Sequence, residues 1–240
     1  MNKKNNSFSK ENFVIPRHIA IIPDGNRRWA KSKGLKSFLG HKKAVEKNRL
    51  EDFIKEARDL GIEYFSFWGF STENWKRSEE EKKHLFQLFL KVIDDIERMA
   101  TKYCIRFRHF GRRDRLPSNL LSKIKKLEKT TKNNKEIKVN ILLDYGGRDE
   151  IIRAVNKILK SGKKKINEED FSSFLDTKDI PEPDIIIRTS GEQRLSGFMP
   201  FQGVYAELFF VDKHFPEFDS KDLKKIIELF GKRKRRFGGN

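Results

Sequence analysis

The stretch HIAIIPDGNRRWA, residues 18–30, decides the fold class of this chain. A short apolar run ends at Pro23, Gly25 permits a tight turn, and a helical pattern begins near Arg27. A buried strand that leads through a polar turn into a helix is the repeating unit of α/β domains. The stretch therefore predicts a strand–turn–helix unit with polar side chains at its turn.

Five more short apolar runs end at a cluster of polar residues, namely residues 62–70, 104–110, 139–143, 185–187 and 205–211. Several are almost continuously apolar, which is typical of strands buried on both faces of a parallel sheet. Helical spacing fills the gaps, at residues 44–60, 79–103, 117–129, 150–159, 171–175 and 222–230. We therefore predict an α/β fold with a mainly parallel six-stranded sheet covered by helices. It forms a single domain over residues 16–240, after a flexible N-terminal segment at residues 1–15.

The composition is strongly basic, with a net charge of +18 over 240 residues, of which 36% are hydrophobic. The hydrophobic share excludes a wholly disordered chain. The charge suggests an anionic partner: nucleic acid, an anionic membrane or phosphorylated small molecules. Lys and Asn are abundant throughout the chain, so a general compositional bias explains the charge equally well. The net charge alone therefore does not distinguish between these possible functions.

Other classes are excluded by what the sequence lacks. The single cysteine, Cys104, rules out a disulfide framework and a Cys-based zinc site, and its place before an apolar run predicts a buried structural thiol. The first twelve residues lack the apolar core of a signal peptide, and no apolar run approaches the roughly 20 residues of a membrane span. A P-loop pattern is also missing. We therefore expect a soluble, cytoplasmic protein.

The first polar cluster combines anion donors with one acid. Because ligands of open α/β sheets bind beyond the carboxyl ends of the strands, the clusters are expected to converge on one edge. Arg27 and Arg28 supply charge-assisted donors for phosphate oxygens at the start of a helix. Asp24 would repel a diphosphate unless a cation lies between them, and Mg²⁺ prefers such oxygen ligands. The alternative is that Asp24 only caps the helix and the arginines are solvated.

Two intermediate segments are less specific. Residues 40–43 (GHKK) are predicted to open the next helix as a second cationic helix start, although His41 could equally be an ordinary surface histidine. Residues 71–77 (STENWKR) mix a hydroxyl, an acid, an amide, an aromatic ring and a cation. By themselves they suit a plain loop or a helix start.

The last cluster follows the apolar run at residues 185–187. Arg188, Arg194 and Ser196 suit a second diphosphate. Glu192 either orients Arg194 or forms a purely structural ion pair with it. Two cationic phosphate sites around one carboxylate predict an enzyme that handles two diphosphates. The acids at residues 94–97 fall short of an Asp-rich DDxxD motif and are expected on the solvated face of a helix.

Over residues 16–239 the sequence resembles the cis-prenyltransferase (undecaprenyl diphosphate synthase) family. Each shared motif is weak alone, but all of them occur in order over nearly the whole chain. They are His18-x5-Asp24-Gly25-Asn26-x-Arg28-x-Ala30, Gly40-His41, Phe70-Ser71-Thr72-Glu73-Asn74-Trp75-x-Arg77, Asp144-Tyr145-Gly146-Gly147-Arg148, Arg188-x2-Gly191-Glu192-x-Arg194-x-Ser196, Tyr205-Ala206-Glu207-Leu208 and Arg235-Arg236-Phe237-Gly238-Gly239.

The resemblance implies a Mg²⁺-dependent polyprenyl diphosphate synthase that condenses isopentenyl diphosphate units onto an allylic diphosphate. It implies a homodimer with a hydrophobic tunnel beneath each active site, no nucleic-acid partner, and room for peripheral membrane contact. Asp24 would hold Mg²⁺, with Glu207 as a further metal contact, and Asn74 would relay or position the proton that is lost. The implied substrate-binding residues are Gly25, Asn26, Arg27, Arg28, Trp29, His41, Ser71, Thr72, Glu73, Trp75, Arg77, Arg188, Arg194, Leu195, Ser196, Arg236 and Gly238.

Three positions depart from the family pattern. Ser37 stands where the family usually has arginine, so one phosphate contact is either lost or supplied by Lys36. Pro23 replaces a common methionine, and residues 197–201 are less regular than usual.

Two other functions compete with this hypothesis. A basic RNA-binding protein would explain the charge, but it would not explain acids at the same strand ends as the arginines. A non-catalytic subunit of a heteromeric prenyltransferase would keep the C-terminal tail but lose the metal carboxylate. Since Asp24 and both arginine clusters are present, the sequence favours a self-sufficient enzyme.

Overall fold

Six strands form one sheet in the computed structural model, which describes residues 14–46 and 49–235. They are β1 (His18–Ile22), β2 (Tyr64–Ser71), β3 (Ile105–Phe110), β4 (Ile137–Tyr145), β5 (Ile185–Thr189) and β6 (Glu207–Val211). Their order is β3-β4-β2-β1-β5-β6, and every neighbouring pair is parallel. The predicted six-stranded parallel sheet is therefore confirmed.

Eight α-helices connect and cover these strands in the same part of the chain. They are α1 (Asn26–Ser32), α2 (Ser37–Ala44), α3 (Arg49–Asp59), α4 (Glu79–Lys102), α5 (Ser118–Thr131), α6 (Gly147–Ser161), α7 (Glu168–Phe174) and α8 (Ser220–Gly231). Short 3₁₀ turns occupy Thr72–Lys76 and Phe215–Glu217. None of the helices in the described residues is both long enough and apolar enough to cross a membrane.

The residues at both ends of the long helix α4 explain where it begins and ends. Ser78 caps its start by accepting a hydrogen bond from the Glu81 amide, and three acids occupy its first turn. Lys102 lies in its last turn, where a cation interacts favourably with the helix dipole. One face, including Phe89 and Ile96, is buried in the main core. This helix therefore forms one wall of the protein interior.

The core lies on both faces of the sheet. Ile19 and Ile21 of β1 pack into the larger cluster, with side chains from α3, α4, α5 and α8. Ala20 and Ile22, the alternate residues of the same strand, pack into a smaller cluster with Phe198. Side chains on a strand alternate between faces, so both faces of β1 are buried, as the continuous apolar runs predict.

Three sequence predictions require correction. Residues 40–43 do not open a helix; they lie within α2, which begins at Ser37. The predicted helix at residues 44–60 begins only at Arg49. Cys104 is exposed rather than buried, because it occupies the turn between α4 and β3 with φ at 50°. Most of the predicted N-terminal segment, residues 1–13, lies outside the described residues.

Candidate active site

The carboxyl ends of β1, β2 and β5 border a cavity of about 820 Å³. Its mouth is polar, and the polar clusters that follow these strands converge there, as predicted. Its interior is apolar and extends between the sheet, α3 and α4. The apolar lining includes Ala44, Val45, Leu50, Phe53, Phe67, Leu85, Leu88, Phe89, Val92, Ile141 and Phe215.

The charges at the mouth are unbalanced. Asp24 is the only carboxylate among the described residues that line the cavity. Six cationic side chains surround it: Arg27, Arg28, Lys31, Lys36, Arg77 and Arg188. Arg28 also pairs with Glu192 and Arg77 with Glu81, and the remaining excess of cations over acids suits an anionic ligand.

Asp24 is held by contacts from distant parts of the chain. Its amide donates to the Thr189 hydroxyl at 2.9 Å, and that hydroxyl donates to the Asp24 carbonyl at 2.8 Å. Its carboxylate accepts from Arg188 Nη2 at 2.8 Å and from the Gly25 amide at 2.6 Å. Burial opposes ionisation of the Asp24 carboxyl, but these hydrogen bonds and the charge of Arg28 hold its pKa below the ordinary value. The group is therefore an anion at neutral pH.

The alternative that Asp24 only caps α1 is not supported. Gly25 is the N-cap residue of that helix, and no side chain caps it. Gly25 has a φ of 91°, and a Cβ there would lie 2.4 Å from Ser190 Oγ and 2.6 Å from His214 Nδ1. Ser190 and His214 are themselves 2.7 Å apart between Oγ and Nδ1. Only glycine fits this turn, which directs the Asp24 carboxylate toward the cavity.

Arg188 anchors the last cluster beneath the mouth. It is only 5% exposed, and its Nη1 donates to the Arg194 carbonyl at 2.5 Å and to Ser196 Oγ at 2.8 Å. Its Nε is buried without a hydrogen-bond partner in the described structure. Since a buried donor without an acceptor is costly, this atom is a candidate contact for a ligand oxygen.

Glu192 joins the first and last clusters. One of its oxygens accepts from Arg28 Nη1 at 2.7 Å, and the other pairs with Arg194. Glu192 thus contacts both Arg28 and Arg194, and these contacts are compatible with both alternatives, orientation of Arg194 and a purely structural ion pair. Arg194 is exposed and Leu195 packs against the smaller core cluster, and neither lines the cavity.

His41 points into the mouth from the last turn of α2. Burial, reinforced by the charges of Arg77 and Arg27, lowers the pKa of His41 to about 4. Its Nε2 is buried and has no hydrogen-bond partner in the described structure. The imidazole is therefore neutral near pH 7 and offers one ring nitrogen to a ligand.

The turn at Thr72–Lys76 brings three of the predicted residues to the cavity: Ser71, Asn74 and Arg77. The Ser71 amide donates to Asn74 Oδ1 at 3.1 Å in a capping box. Because that oxygen is engaged, Asn74 suits a positioning role better than proton acceptance. Thr72, Glu73 and Trp75 do not line the cavity.

Trp75 instead connects this turn to a buried acid, Asp144, which belongs to a shared motif but was not predicted as a site residue. Its indole Nε1 donates to Asp144 Oδ1 at 2.8 Å. Asp144 is fully buried and also accepts from Arg115 Nε at 2.8 Å, and the Arg115 guanidinium lies 5.3 Å from the Trp75 ring centroid. Asp144 and Arg115 therefore fix the turn that presents Asn74.

The remaining predicted residues lie elsewhere. Trp29 does not line the cavity, and its Nε1 donates to Glu217 at 3.0 Å. Glu207 begins β6, at the opposite end of the strands from Asp24 in the same chain, and pairs with Arg233. Arg236 and Gly238 lie outside the described residues.

A divalent cation at Asp24 fits the donor set only if a substrate completes it. In residues 14–46 and 49–235 no group of three or more His, Cys, Asp or Glu side chains could hold a metal ion. One carboxylate leaves most coordination positions to water and phosphate oxygens, which is the arrangement that Mg²⁺ prefers. The cationic neighbours of Asp24 would bind the same phosphates.

These features define a class of protein: an α/β enzyme for amphiphiles that carry a polyanionic head and a hydrocarbon tail. Comparison with known sequences agrees. Residues 22–238 match the family model described as "Putative undecaprenyl diphosphate synthase". An isoprenyl transferase of Fusobacterium nucleatum is 46% identical, over 94% of this chain and 96% of its own length. One from Thermotoga maritima is 44% identical, over 94% and 97%.

Solved structures agree as well. Lavandulyl diphosphate synthase from Lavandula x intermedia, in complex with dimethylallyl diphosphate, superposes with a TM-score of 0.89 at 33% identity, over 93% of this chain and 98% of that one. A probable undecaprenyl diphosphate synthase from Campylobacter jejuni has a TM-score of 0.80 at 31% identity, over the same shares. This chain belongs to the undecaprenyl diphosphate synthase family of prenyltransferases.

Proposed function

We propose that this protein is a cis-prenyltransferase that condenses isopentenyl diphosphate units onto an allylic diphosphate to make a long-chain polyprenyl diphosphate, a lipid carrier precursor. The main support for this proposal is the cavity: its mouth has six cations around one carboxylate, and its interior is apolar. A diphosphate neutralises the mouth while its prenyl tail fills the interior. Each condensation breaks an allylic carbon–oxygen bond, forms a carbon–carbon bond, and releases diphosphate and one proton.

The residues of the mouth divide between the two substrates. Arg27, Arg28 and His41 would bind the allylic diphosphate, helped by the Gly25–Asn26 turn. Arg188 and Ser196 would bind isopentenyl diphosphate, with Arg194 held nearby by Glu192. Charge-assisted hydrogen bonds contribute about 1.5–3 kcal/mol each, so these contacts account for tight binding of two polyanions.

Asp24 is the proposed ligand of Mg²⁺, which when bound would neutralise the diphosphate and help it to leave. Asp24 lies within reach of both arginine clusters through Arg28 and Arg188. Its lowered pKa keeps it ionised, so it can hold a cation without first losing a proton. Asn74 would position the isopentenyl group, and the departing diphosphate would take the proton.

The apolar interior would hold the growing chain. Each five-carbon unit that enters gains on the order of 3–4 kcal/mol, at about 0.8 kcal/mol per carbon group. Intermediates therefore stay bound between cycles, and release of the finished lipid is slow. Peripheral contact of this basic, cytoplasmic protein with an anionic membrane would bring the product to its destination.

A homodimer is supported by an exposed apolar face on α6. Ile152, Val155 and Leu159 share one face of this helix and are 60%, 39% and 70% exposed. Monomers seldom leave such a set of large apolar side chains in water. A self-interface here would cover them.

The C-terminus favours the same arrangement. Arg235 pairs with Asp184, just before β5 and far from the carboxyl ends of the strands. Arg236 and Gly238 lie outside the described residues, and in this proposal they would complete the site of a partner subunit. Glu207 would act on the metal only across the dimer, because it lies at the other end of the strands from Asp24. Mixing Asp24→Ala chains with chains that lack residues 237–240 should restore about a quarter of wild-type activity if partners complete each other's sites.

The function is tested by incubating the protein with isopentenyl diphosphate and an allylic starter, with MgCl₂ or with EDTA, and weighing the products. The proposal predicts a ladder of masses spaced by one isoprene unit that disappears in EDTA. Products without added Mg²⁺ would overturn the metal assignment. No condensation with dimethylallyl, geranyl, farnesyl or geranylgeranyl starters would favour a non-catalytic subunit, and salt-sensitive RNA binding would favour an RNA-binding protein.

A further inference from the structure

The connection between α1 and α2 forms an exposed rim at the mouth of the catalytic cavity. Residues 31–37 (KSKGLKS) are all exposed. Three of them, Lys31, Leu35 and Lys36, line the mouth. Leu35 is 42% exposed, so this rim presents an aliphatic side chain to water among lysines.

Backbone hydrogen bonds fix the position of Leu35. Its amide donates to the Ala30 carbonyl at 2.8 Å, and the Gly34 amide donates to the Lys31 carbonyl at 3.0 Å. Gly34 has a φ of 67°, and these two bonds form the Schellman motif that ends a helix. The end of α1 therefore holds the backbone of Leu35 at the rim.

The sequence around Leu35 is basic throughout. Residues 25–45 contain seven Lys and Arg residues and no Asp or Glu. Two of these cations belong to α2, on the far side of the connection from α1. Three of the seven are exposed and do not line the cavity, namely Lys33, Lys42 and Lys43.

Two acids from outside this range approach the rim. Glu46 Oε2 lies 2.6 Å from Lys43 Nζ, and Glu217 Oε1 lies 3.8 Å from Lys33 Nζ. Both ion pairs are exposed, so water and salt weaken them. The rim therefore keeps an excess of positive charge that suits an extended anionic surface.

A second lysine-rich connection has the same residue types in a different setting. Ile166 is 37% exposed and follows three lysines, at residues 163–165. Three acids come next, at residues 168–170, and Asp170 pairs with Lys163. This connection follows α6, which begins at the carboxyl end of β4 and runs back toward the start of β5, so it lies at the opposite edge of the sheet from the mouth. It therefore lacks both the charge excess and the position of the rim.

We propose that the basic rim, which consists of residues 31–37 with Lys42 and Lys43, docks on an anionic lipid bilayer and that Leu35 enters its acyl boundary. Lysines are attracted to anionic headgroups, and a buried aliphatic side chain adds apolar contact. This inference rests on the proposed function and names the surface that faces the membrane. Docking here places the mouth, where the diphosphate of the product lies, at the level of the lipid headgroups.

Vesicle sedimentation provides the first test. The wild type should bind vesicles of phosphatidylcholine with one-third phosphatidylglycerol, and high salt should release it because the attraction is screened. It should not bind phosphatidylcholine alone. The triple variant Lys33→Gln, Lys42→Gln, Lys43→Gln should bind about tenfold or more weakly, because each lysine near an anionic surface contributes roughly five-fold.

The matched control is the triple variant Lys163→Gln, Lys164→Gln, Lys165→Gln, which removes the same charge at the opposite edge of the sheet. It should bind the anionic vesicles nearly as tightly as the wild type. An equal loss of binding in the two triple variants would overturn the proposal, because net charge alone would then attract the bilayer.

A fluorescent label tests the entry of residue 35 into the bilayer. Leu35→Cys in a Cys104→Ser background leaves one cysteine, which is labelled with nitrobenzoxadiazole. Its emission should rise several-fold and shift to the blue on anionic vesicles, since the label leaves water. The same label on Ile166→Cys should not respond.

Two results would overturn the proposal. One is unchanged emission at residue 35 on vesicles that demonstrably carry the protein, and the other is an equal change on addition of poly(U) RNA, which has no acyl layer. Neither experiment depends on turnover. Failure here therefore leaves the proposed function intact, and failure of that function would appear separately as the absence of products in the mass assay.

Discussion

The mouth and the interior of the catalytic cavity are built from different kinds of structure. The mouth joins residues that are far apart in the chain through short polar contacts, such as Asp24 and Arg188 at 2.8 Å. The interior is the shared surface of two helices and the sheet, made of apolar side chains such as Leu88 and Phe89. The function of a polar site depends on the position of each polar atom, whereas the function of an apolar wall depends mainly on the volume that its side chains fill. Changes at the mouth should therefore alter rate, and changes in the interior should alter product length.

The largest effect is expected from Asp24→Asn at the mouth. The amide keeps the size of the side chain and one acceptor for Arg188, but it removes the negative charge that would hold Mg²⁺. We expect turnover to fall by at least about 10²–10³-fold, as for other losses of a charge-stabilising group. Steady-state rates with farnesyl and isopentenyl diphosphates measure this change.

Asp59→Asn is the control, since Asp59 ends α3 on the surface and pairs only locally with Arg58. Turnover within a few-fold of wild type in a normally folded Asp24→Asn enzyme would show that the mouth does not depend on this charge.

Acid should lower the free energy of unfolding of the whole protein, because three buried histidines, one of them at the cavity mouth, are neutral in the folded state. Burial is the main cause that lowers the pKa of His18, His41 and His109 to about 4 each. The unfolded chain binds these protons near pH 6.5 and the folded protein does not. The stability they contribute is therefore complete above about pH 6.5 and is lost as the pH falls toward 4. Each buried histidine should lower the free energy of unfolding by about 1.4 kcal/mol per pH unit in that window.

Urea unfolding at a series of pH values measures this loss. His18→Gln should remove about one histidine's share of the slope. A stability that stays flat between pH 6.5 and 4 would contradict the buried, neutral state of these rings.

In the interior, Leu88→Trp should shorten the products. Leu88 lies on α4 and lines the apolar interior of the cavity. A larger ring removes volume that the growing chain needs, so elongation should stop earlier. Product masses of bulky variants of Leu85, Leu88, Phe89 and Val92 measure the effect. An unchanged distribution in all of them would show that these residues do not limit product length.

The smallest effect is expected at Lys36. It lines the mouth beside Ser37, where a family arginine is missing. If Lys36 supplies that phosphate contact, Lys36→Ala should raise the KM for the allylic substrate about five-fold, or roughly 1 kcal/mol, and spare the KM for isopentenyl diphosphate. Lys33→Ala is the control, because Lys33 does not line the cavity. Equal changes in both KM values would mean that Lys36 contributes only general positive potential.

The two regions also differ in how much of them could be predicted. The strands were predicted to within about two residues at most ends, because buried parallel strands are continuous apolar runs with polar turns. The proximity of Asp24 and Arg188 could be predicted, because the carboxyl ends of parallel strands lie at the same edge of a sheet. The contacts of Thr189, Ser190 and His214 behind Asp24 could not be predicted, since they depend on three-dimensional packing.

Two of the three errors in the fold have one cause. No glycine or proline lies between Ala44 and Arg49, so the helical spacing of α2 and α3 cannot be told apart in the sequence. As a result His41 was predicted at a helix start, whereas it lies in the last turn of α2. The roles predicted for Asn74, Glu207, Arg236 and Gly238 came from resemblance, and they stay predictions.

The central claim is that the charged mouth and the apolar interior bind one amphiphile, and equilibrium binding of a series of allylic diphosphates tests it most directly. Calorimetric titration with MgCl₂ should show affinity that rises with tail length from dimethylallyl to geranyl to farnesyl diphosphate. Arg28→Ala should weaken all three by a similar factor, because it acts only on the shared head. Equal affinity for the three diphosphates, or for farnesyl diphosphate and inorganic diphosphate, would contradict the account by showing that the apolar interior does not receive the tail.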